Sequence, residues 1–282
     1  MHKDRWLNDF EVNVTSQNGE DGIITKIFEF IPYPDKWCVE FGAWDGKFLS
    51  NCYNLLANKS WKGVMIEAQK KKYKELIRTF SGNKEVYCIN KFVNFEGPGS
   101  LDEILNNTPI PQDFDLLSID IDGNDYHVWN SLHTYRPKVV IIEYNHSIPS
   151  DIEFIQKKNN SVNHGSSLLS LTRLAKTKKY ELVCTTLCNA IYVDEKYFKL
   201  FNIEDNSINV LFKPQYETPR IFQLYDGTLM LTSEFRLFWK SPMVVKPKDL
   251  QVIPKYLRFK NDSGVSKIRR LLFRIFLMLK GQ

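Results

Sequence analysis

The sequence predicts an open α/β sheet of seven mostly parallel strands, flanked by helices and closed at one edge by an antiparallel hairpin. Three observations predict it. Short apolar runs, WCVEF, GVMI, LLSI and VVII, each lead into an acidic residue or carry one near their end, and they alternate with stretches of helical spacing, the pattern of βα units. LLSI and VVII are apolar at nearly every position, as strands covered on both faces must be. The last two runs, ELVCTTL and NAIYV, are joined only through Cys188 and Asn189, a link too short for a crossover and therefore antiparallel.

Length and composition bound what this sheet belongs to. The 282 residues hold one large α/β domain, residues 1–202, and an extension, residues 203–282. A hydrophobic content of 43% excludes a disordered chain. With 38 basic against 33 acidic residues the surface is mixed, and nothing in that balance calls for nucleic acid. The five cysteines are odd in number and lie mostly in apolar runs, so reduced thiols are expected and no disulfide framework or zinc spacing is read. MHKDRWLNDFEVN lacks the apolar core of a signal peptide and no uncharged run approaches a membrane span, which gives a cytoplasmic expectation.

Taken in order, SQNGED precedes apolar positions Ile23, Ile24, Ile27, Phe28 and Ile31 at helical spacing. Ser16 or Asn18 is expected to cap that helix, while Gln17, Glu20 and Asp21 bunch more polarity than a cap needs. WCVEFGAWDG follows as strand, glycine turn and helix entry. Gly42 and Gly46 are four apart, so the dinucleotide fingerprint is absent, and Glu40 and Asp45 suit a cationic or hydroxyl-bearing ligand better than a phosphate. Either an ordinary capped turn or a nucleoside site fits this stretch alone. SNCYNLLAN is the next helix, and GVMIEA a strand ending at Glu67, a carboxylate placed to accept from two ribose hydroxyls. The other reading pairs Glu67 with Lys70 to Lys72.

KKKYKELIRTF is a helix with Tyr73, Leu76, Ile77 and Phe80 on one face and solvated lysines on the other. EVYCINKFV is a strand and SLDEILNN a short helix. In FDLLSIDIDGNDYHVW the strand Leu116 to Ile119 runs into Asp120 and Asp122, expected to point to one side at its carboxyl end. Like charges there need a cation, a proton or hydrogen-bond donors. PKVVIIEYN repeats the device with Glu143 and Asn145. In the extension, Asp226 and Gly227 of IFQLYDGTLMLT are the expected two-residue turn of a hairpin. SKIRRLLFRIFLMLKGQ sets Ile268, Leu271, Leu272, Ile275, Phe276 and Leu279 on one helical stripe with Lys267, Arg269, Arg270 and Arg274 around it, suited to an anionic membrane, to its own domain or to a second subunit.

SQNGED, VEFGAWDG, SNCYNLL, WKGVMIEA, DLLSIDIDGND, VVIIEYN, GSSLLSLTRLAKTKKYELV and NAIYV, in this order from Ser16 to Val193, resemble the FkbM-type branch of S-adenosylmethionine-dependent methyltransferases. The resemblance implies a Rossmann-like class I methyltransferase sheet of seven strands with the methyl donor over its carboxyl ends. It implies Glu40, Gly42 and Asp45 around the methionine part, Glu67 at the ribose, Asp120 at the ammonium side, and Gln17 and Asp21 closing over the donor, with Ala68 also among the donor-binding residues. Asp122 departs from a glutamate common in such relatives.

Methyl transfer from a sulfonium needs an acceptor held in line and, for an alcohol, a base. His146, then Asp122 and Glu143, are the candidate catalytic residues. Asp122, Glu143 and Asn145 are alternatively ligands for magnesium. The expected activity is O-methylation of a sugar, glycan precursor or related small molecule in polysaccharide modification, with a non-catalytic interaction protein docking to a membrane or partner as the alternative. Expected partners are a small-molecule or sugar substrate, no nucleic acid, and either the inner face of a membrane or a homodimer through the extension.

Overall fold

The computed structural model describes residues 3–212, 219–237, 243–259 and 264–281, and the chain divides into two compact units, Met1–Lys213 and Pro214–Gln282. In the first unit seven strands form one sheet: β1 (Trp37–Phe41), β2 (Lys62–Ile66), β3 (Val86–Ile89), β4 (Leu116–Ile119), β5 (Val139–Glu143), β6 (Tyr180–Thr185) and β7 (Asn189–Asp194). Their order is β3-β2-β1-β4-β5-β7-β6. The first five pair in parallel, and β7 runs antiparallel to both neighbours. This is the expected seven-stranded, mostly parallel sheet with an antiparallel hairpin at one edge. The reversed member of the edge hairpin is β7, which pairs with β5 and leaves β6 outermost.

Helices cover both faces because the strands are apolar on both. Cys38, Met65, Leu116, Val139 and Ile141 pack on one side with Ile23, Ile24 and Ile27 of α1 (Glu20–Ile27), Leu55 and Leu56 of α2 (Tyr53–Asn58) and Leu76 of α3 (Lys70–Thr79). Val39, Phe41, Leu117, Ile119 and Val140 pack on the other with Ile104 of α4 (Leu101–Leu105), Trp129 of α5 (Asp125–Ser131) and Leu171 of α6 (Leu168–Thr177). Burying each such side chain contributes about 1.5–3 kcal/mol. At the strands' amino ends, Lys138 Nζ and Asp115 Oδ1 form a buried ion pair of 2.7 Å, and Asp115 Oδ2 also accepts from the Trp37 amide. Short helices α7 (Glu195–Phe198) and α8 (Ile208–Leu211) follow, α8 tied back where Thr185 Oγ1 donates to the Leu211 carbonyl.

The cap of α1 differs from expectation. Gly19, at φ 91°, is the residue preceding the helix, and Ser16 Oγ instead accepts from the Asp21 amide inside the first turn. The five cysteines are free thiols, four of them buried.

In the second unit, β8 (Ile221–Gln223) pairs with β9 (Leu229–Leu231), and β10 (Phe235–Leu237) with β11 (Met243–Val245), each antiparallel. The β8–β9 connection is not the expected two-residue turn. Gly227 N donates to the Leu224 carbonyl and Leu224 N to the Thr228 carbonyl, which leaves a three-residue loop, Tyr225 to Gly227, with glycine in the left-handed position. α9 (Lys267–Leu279) forms as predicted and is capped by Ser266, whose hydroxyl accepts from the Arg269 amide.

Candidate active site

The chain leaves β1 toward β2 and β3 on one side, and β4 and β5 lie on the other. The carboxyl ends of β1 and β4 are therefore a topological switch point, where an open α/β sheet has its crevice. A cleft of roughly 690 Å³ lies there, with Glu40, Gly42, Trp44, Glu67, Asp120 and Glu143 among its walls. Gly42 has φ 75°, and a β-carbon on it would stand 1.8 Å from the Asp120 carbonyl oxygen. Only glycine lets the two turns meet this closely. Glu67 fixes the far side of the same turn: its Oε2 accepts from the Trp44 amide at 2.8 Å and its Oε1 from the Gln69 amide at 2.6 Å. Each oxygen keeps a further lone pair.

Glu40, buried at the end of β1, accepts from Ser50 Oγ at 2.5 Å and from the Asn51 amide at 2.8 Å. Burial pushes its carboxyl up to about 7, against the pull of those hydrogen bonds. Asn51 Nδ2 continues to Ser118 Oγ, so the entrance of α2 is tied to both central strands.

The acidic floor is built by the turn after β4. The strand ends at Ile119, so strand alternation does not bring Asp120 and Asp122 together as expected; a tight turn does. Asp125 accepts from the Ile121 amide at 2.9 Å and the Gly123 amide at 2.8 Å, and Asp122 sits at φ 56°. Carboxylate oxygens of Asp120, Asp122 and Glu143 consequently lie within 4.8 Å of one another. Desolvation, then Asp125 and Asp122, push the Asp120 carboxyl well above its ordinary range. Glu143 is pushed up further by desolvation, then by the charge of neighbouring Asp120. Crowding of these carboxyls disfavours full ionisation of the group and favours a proton or a cation among them. Among the described residues lining the cleft, Glu40, Glu67, Asp120, Asp122 and Glu143 face a single basic residue, Lys91, so a cationic ligand is favoured.

The other residues singled out in the sequence are distributed as follows. Gln17 and Ala68 line the cleft. Asp21, Asp45 and His146 are not among the residues that line it. Asp21 Oδ2 accepts from the amides of Val14, Thr15 and Ser16, and Asp45 Oδ1 from those of Lys47 and Phe48. Both hold local backbone. His146 lies in the segment after β5, where partial burial lowers its pKa and favours the neutral ring. Asn145 Oδ1 accepts from the amide and hydroxyl of Ser147.

That segment also brings residues the sequence did not single out. Asn160, Val162 and Asn163 line the cleft, held by the buried Gln156. Gln156 Oε1 accepts from the His164 and Gly165 amides, and its Nε2 donates to the Val162 carbonyl and Asn124 Oδ1. Trp44, Phe48 and Phe92 are exposed aromatic walls. Trp44, beside the Gly42 turn, is the one of these three that the sequence offers as a lid or acceptor contact; Phe48 and Phe92 are added by the structure.

Residues 99–170, about a quarter of the chain, match the family model described as "Methyltransferase FkbM domain" and span α4 through the start of α6. No curated protein sequence matches the chain. Among solved structures, a SAM-dependent methyltransferase from Aquifex aeolicus is 11% identical over 68% of this chain and 98% of its own, with a TM-score of 0.40. A putative caffeoyl-CoA O-methyltransferase from Staphylococcus aureus is 14% identical over 69% and 93%, TM-score 0.42. The N-terminal domain of EvdMO1 with SAH bound is 11% identical over 64% and 82%, TM-score 0.40. At these values the likenesses bear on neither substrate nor residue roles.

Proposed function

We propose that this S-adenosylmethionine-dependent methyltransferase of class I fold methylates a hydroxyl of a sugar, glycan precursor or related small molecule. The methyltransferase assignment rests on the FkbM-domain match over 99–170, the strand order and the acidic cleft at its switch point. The residues fit the methyl donor. Gly42 lets the turn after β1 sit directly against the Asp120 turn at the cleft, Glu67 has lone pairs for a ribose diol, and the acidic lining suits an ammonium and a sulfonium. Glu67 and Ala68 would hold the ribose, Asp120 the ammonium, and Glu40, Gly42 and Gln17 the methionine side.

When bound, the donor supplies an electrophilic methyl carbon. The chain's own part is to exclude water, to hold the acceptor oxygen in line and to take its proton. The grouping of Asp120, Asp122 and Glu143 at the cleft floor supports the reading of a hydroxyl acceptor, because an ionised carboxylate among them would receive an alcohol proton. Glu143 and Asp122 are the candidate bases on the cleft floor, and His146 the candidate on the adjoining segment.

A second reading is favoured by the 4.8 Å grouping of Asp120, Asp122 and Glu143, which suits a magnesium ion with oxygen ligands that would orient acceptor hydroxyls. Full activity in chelator removes it. The function itself is tested by incubating the protein with a methyl-labelled donor and a panel of sugar nucleotides and cell-surface glycan extracts. Label in an alkali-stable ether is expected. Alkali-labile label means a carboxyl acceptor, and no donor binding at all favours the non-catalytic docking protein.

A further inference from the structure

We infer that α9 lies on an anionic lipid surface, its apolar stripe entering the boundary between headgroups and acyl chains. Ile268, Leu271, Leu272, Ile275, Met278 and Leu279 fall within an arc of about 120° on an ideal helix. They are solvent-exposed, from 41% at Ile275 to 82% at Leu279. The opposite side is where the second unit holds the helix: Phe273 packs edge-on against Phe259, and Arg269 donates to the Arg258 carbonyl. The exposed stripe is therefore the face the unit leaves uncovered by its own described elements.

Charge identifies what covers it. Residues 214–282 contain 13 Lys and Arg against 5 Asp and Glu, whereas residues 1–213 contain 25 against 28. The whole positive excess of the chain lies in the second unit, and α9 itself contains Lys267, Arg269, Arg270 and Arg274 with no acidic residue. A second copy of this unit would bring like charges together within a Debye length. A nucleic acid meets the cations but offers nothing for six aliphatic side chains. An anionic bilayer meets both, and α9, with 13 residues, is of a length to lie on the surface. Among the described residues no helix is long and apolar enough to cross a membrane.

The test is co-sedimentation of the full chain with vesicles of phosphatidylcholine alone or with about one third phosphatidylglycerol, at low and high salt. Pelleting is expected only with the anionic vesicles, weakening at high salt. Leu271→Glu with Met278→Glu, and separately Lys267→Glu with Arg274→Glu, change exposed side chains. Each pair should lower partitioning by about tenfold or more while leaving donor affinity and thermal midpoint in place. The inference is overturned by no pelleting, by equal pelleting on neutral vesicles, by wild-type partitioning of both variants, or by a lipid-free dimer that Leu271→Glu with Met278→Glu dissolves.

Discussion

The carboxyl groups of Asp120 and Glu143, at the ends of neighbouring parallel strands, crowd within 4.8 Å of each other and of Asp122 at the floor of the cleft. A carboxyl whose pKa is raised on folding binds more protons folded than unfolded between its ordinary range and the raised value. Its contribution is therefore fully present at low pH and lost as pH rises through that window. The free protein should be less stable at pH 8 than near pH 5.5. Glu143→Gln should flatten this slope and raise stability at pH 8, read by urea unfolding across pH. The same variant should lower methyl transfer. A slope unchanged by the substitution removes the proton from this group of carboxyls.

Glu67 yields a prediction about the donor. Glu67→Gln keeps the side chain's size but replaces one acceptor oxygen by a donor, so either the Trp44 or Gln69 amide loses its partner and the ribose diol loses charge. S-adenosylmethionine affinity should fall by about 10- to 100-fold by isothermal titration. Asp21→Asn, on the backbone clamp of residues 14–16, should reduce thermal stability more than it reduces affinity. Equal affinity losses in the two would return Asp21 to the donor site.

At Gly42 the prediction concerns backbone contact. Gly42→Ala combines a left-handed φ with a β-carbon driven against the Asp120 carbonyl, a contact with no flexible partner to yield. Destabilisation of more than about 3 kcal/mol is expected in chemical denaturation. Gly82→Ala, where a β-carbon meets nothing within 4 Å, should be near neutral and serves as the control.

These contrasts show what the residues alone disclosed. The sheet was legible because VVII and LLSI alternate between two apolar layers, a pattern that survives any detail of the loops. Glu67 and Asp120 were legible because each follows directly on a strand, where position fixes the side chain. Asp21 and Asp45 were not separable from ligand-binding acids, since a carboxylate that accepts three backbone amides and one that faces a ligand have the same composition and spacing. Asp125 was passed over for its neighbours although it folds the turn that brings them together. Its role depends on amide directions that sequence spacing does not encode.

Gln156 is the extreme case, one polar residue among several in IEFIQKKNN that becomes buried and holds four groups at once. Its backbone carbonyl also meets His127 Nε2 at 2.6 Å, so α5 is linked to the same segment. Gln156→Ala should free residues 156–166, seen as faster amide hydrogen exchange there and not in β1 or β2. Because Asn160, Val162 and Asn163 line the cleft and the Val162 carbonyl sits against Gly123 of the turn after β4, KM for the best acceptor should rise about tenfold while donor affinity stays within about twofold. Gln156→Glu retains an acceptor for the His164 and Gly165 amides and should recover part of the loss. A parallel fall in donor affinity would place this segment on the donor's side of the cleft.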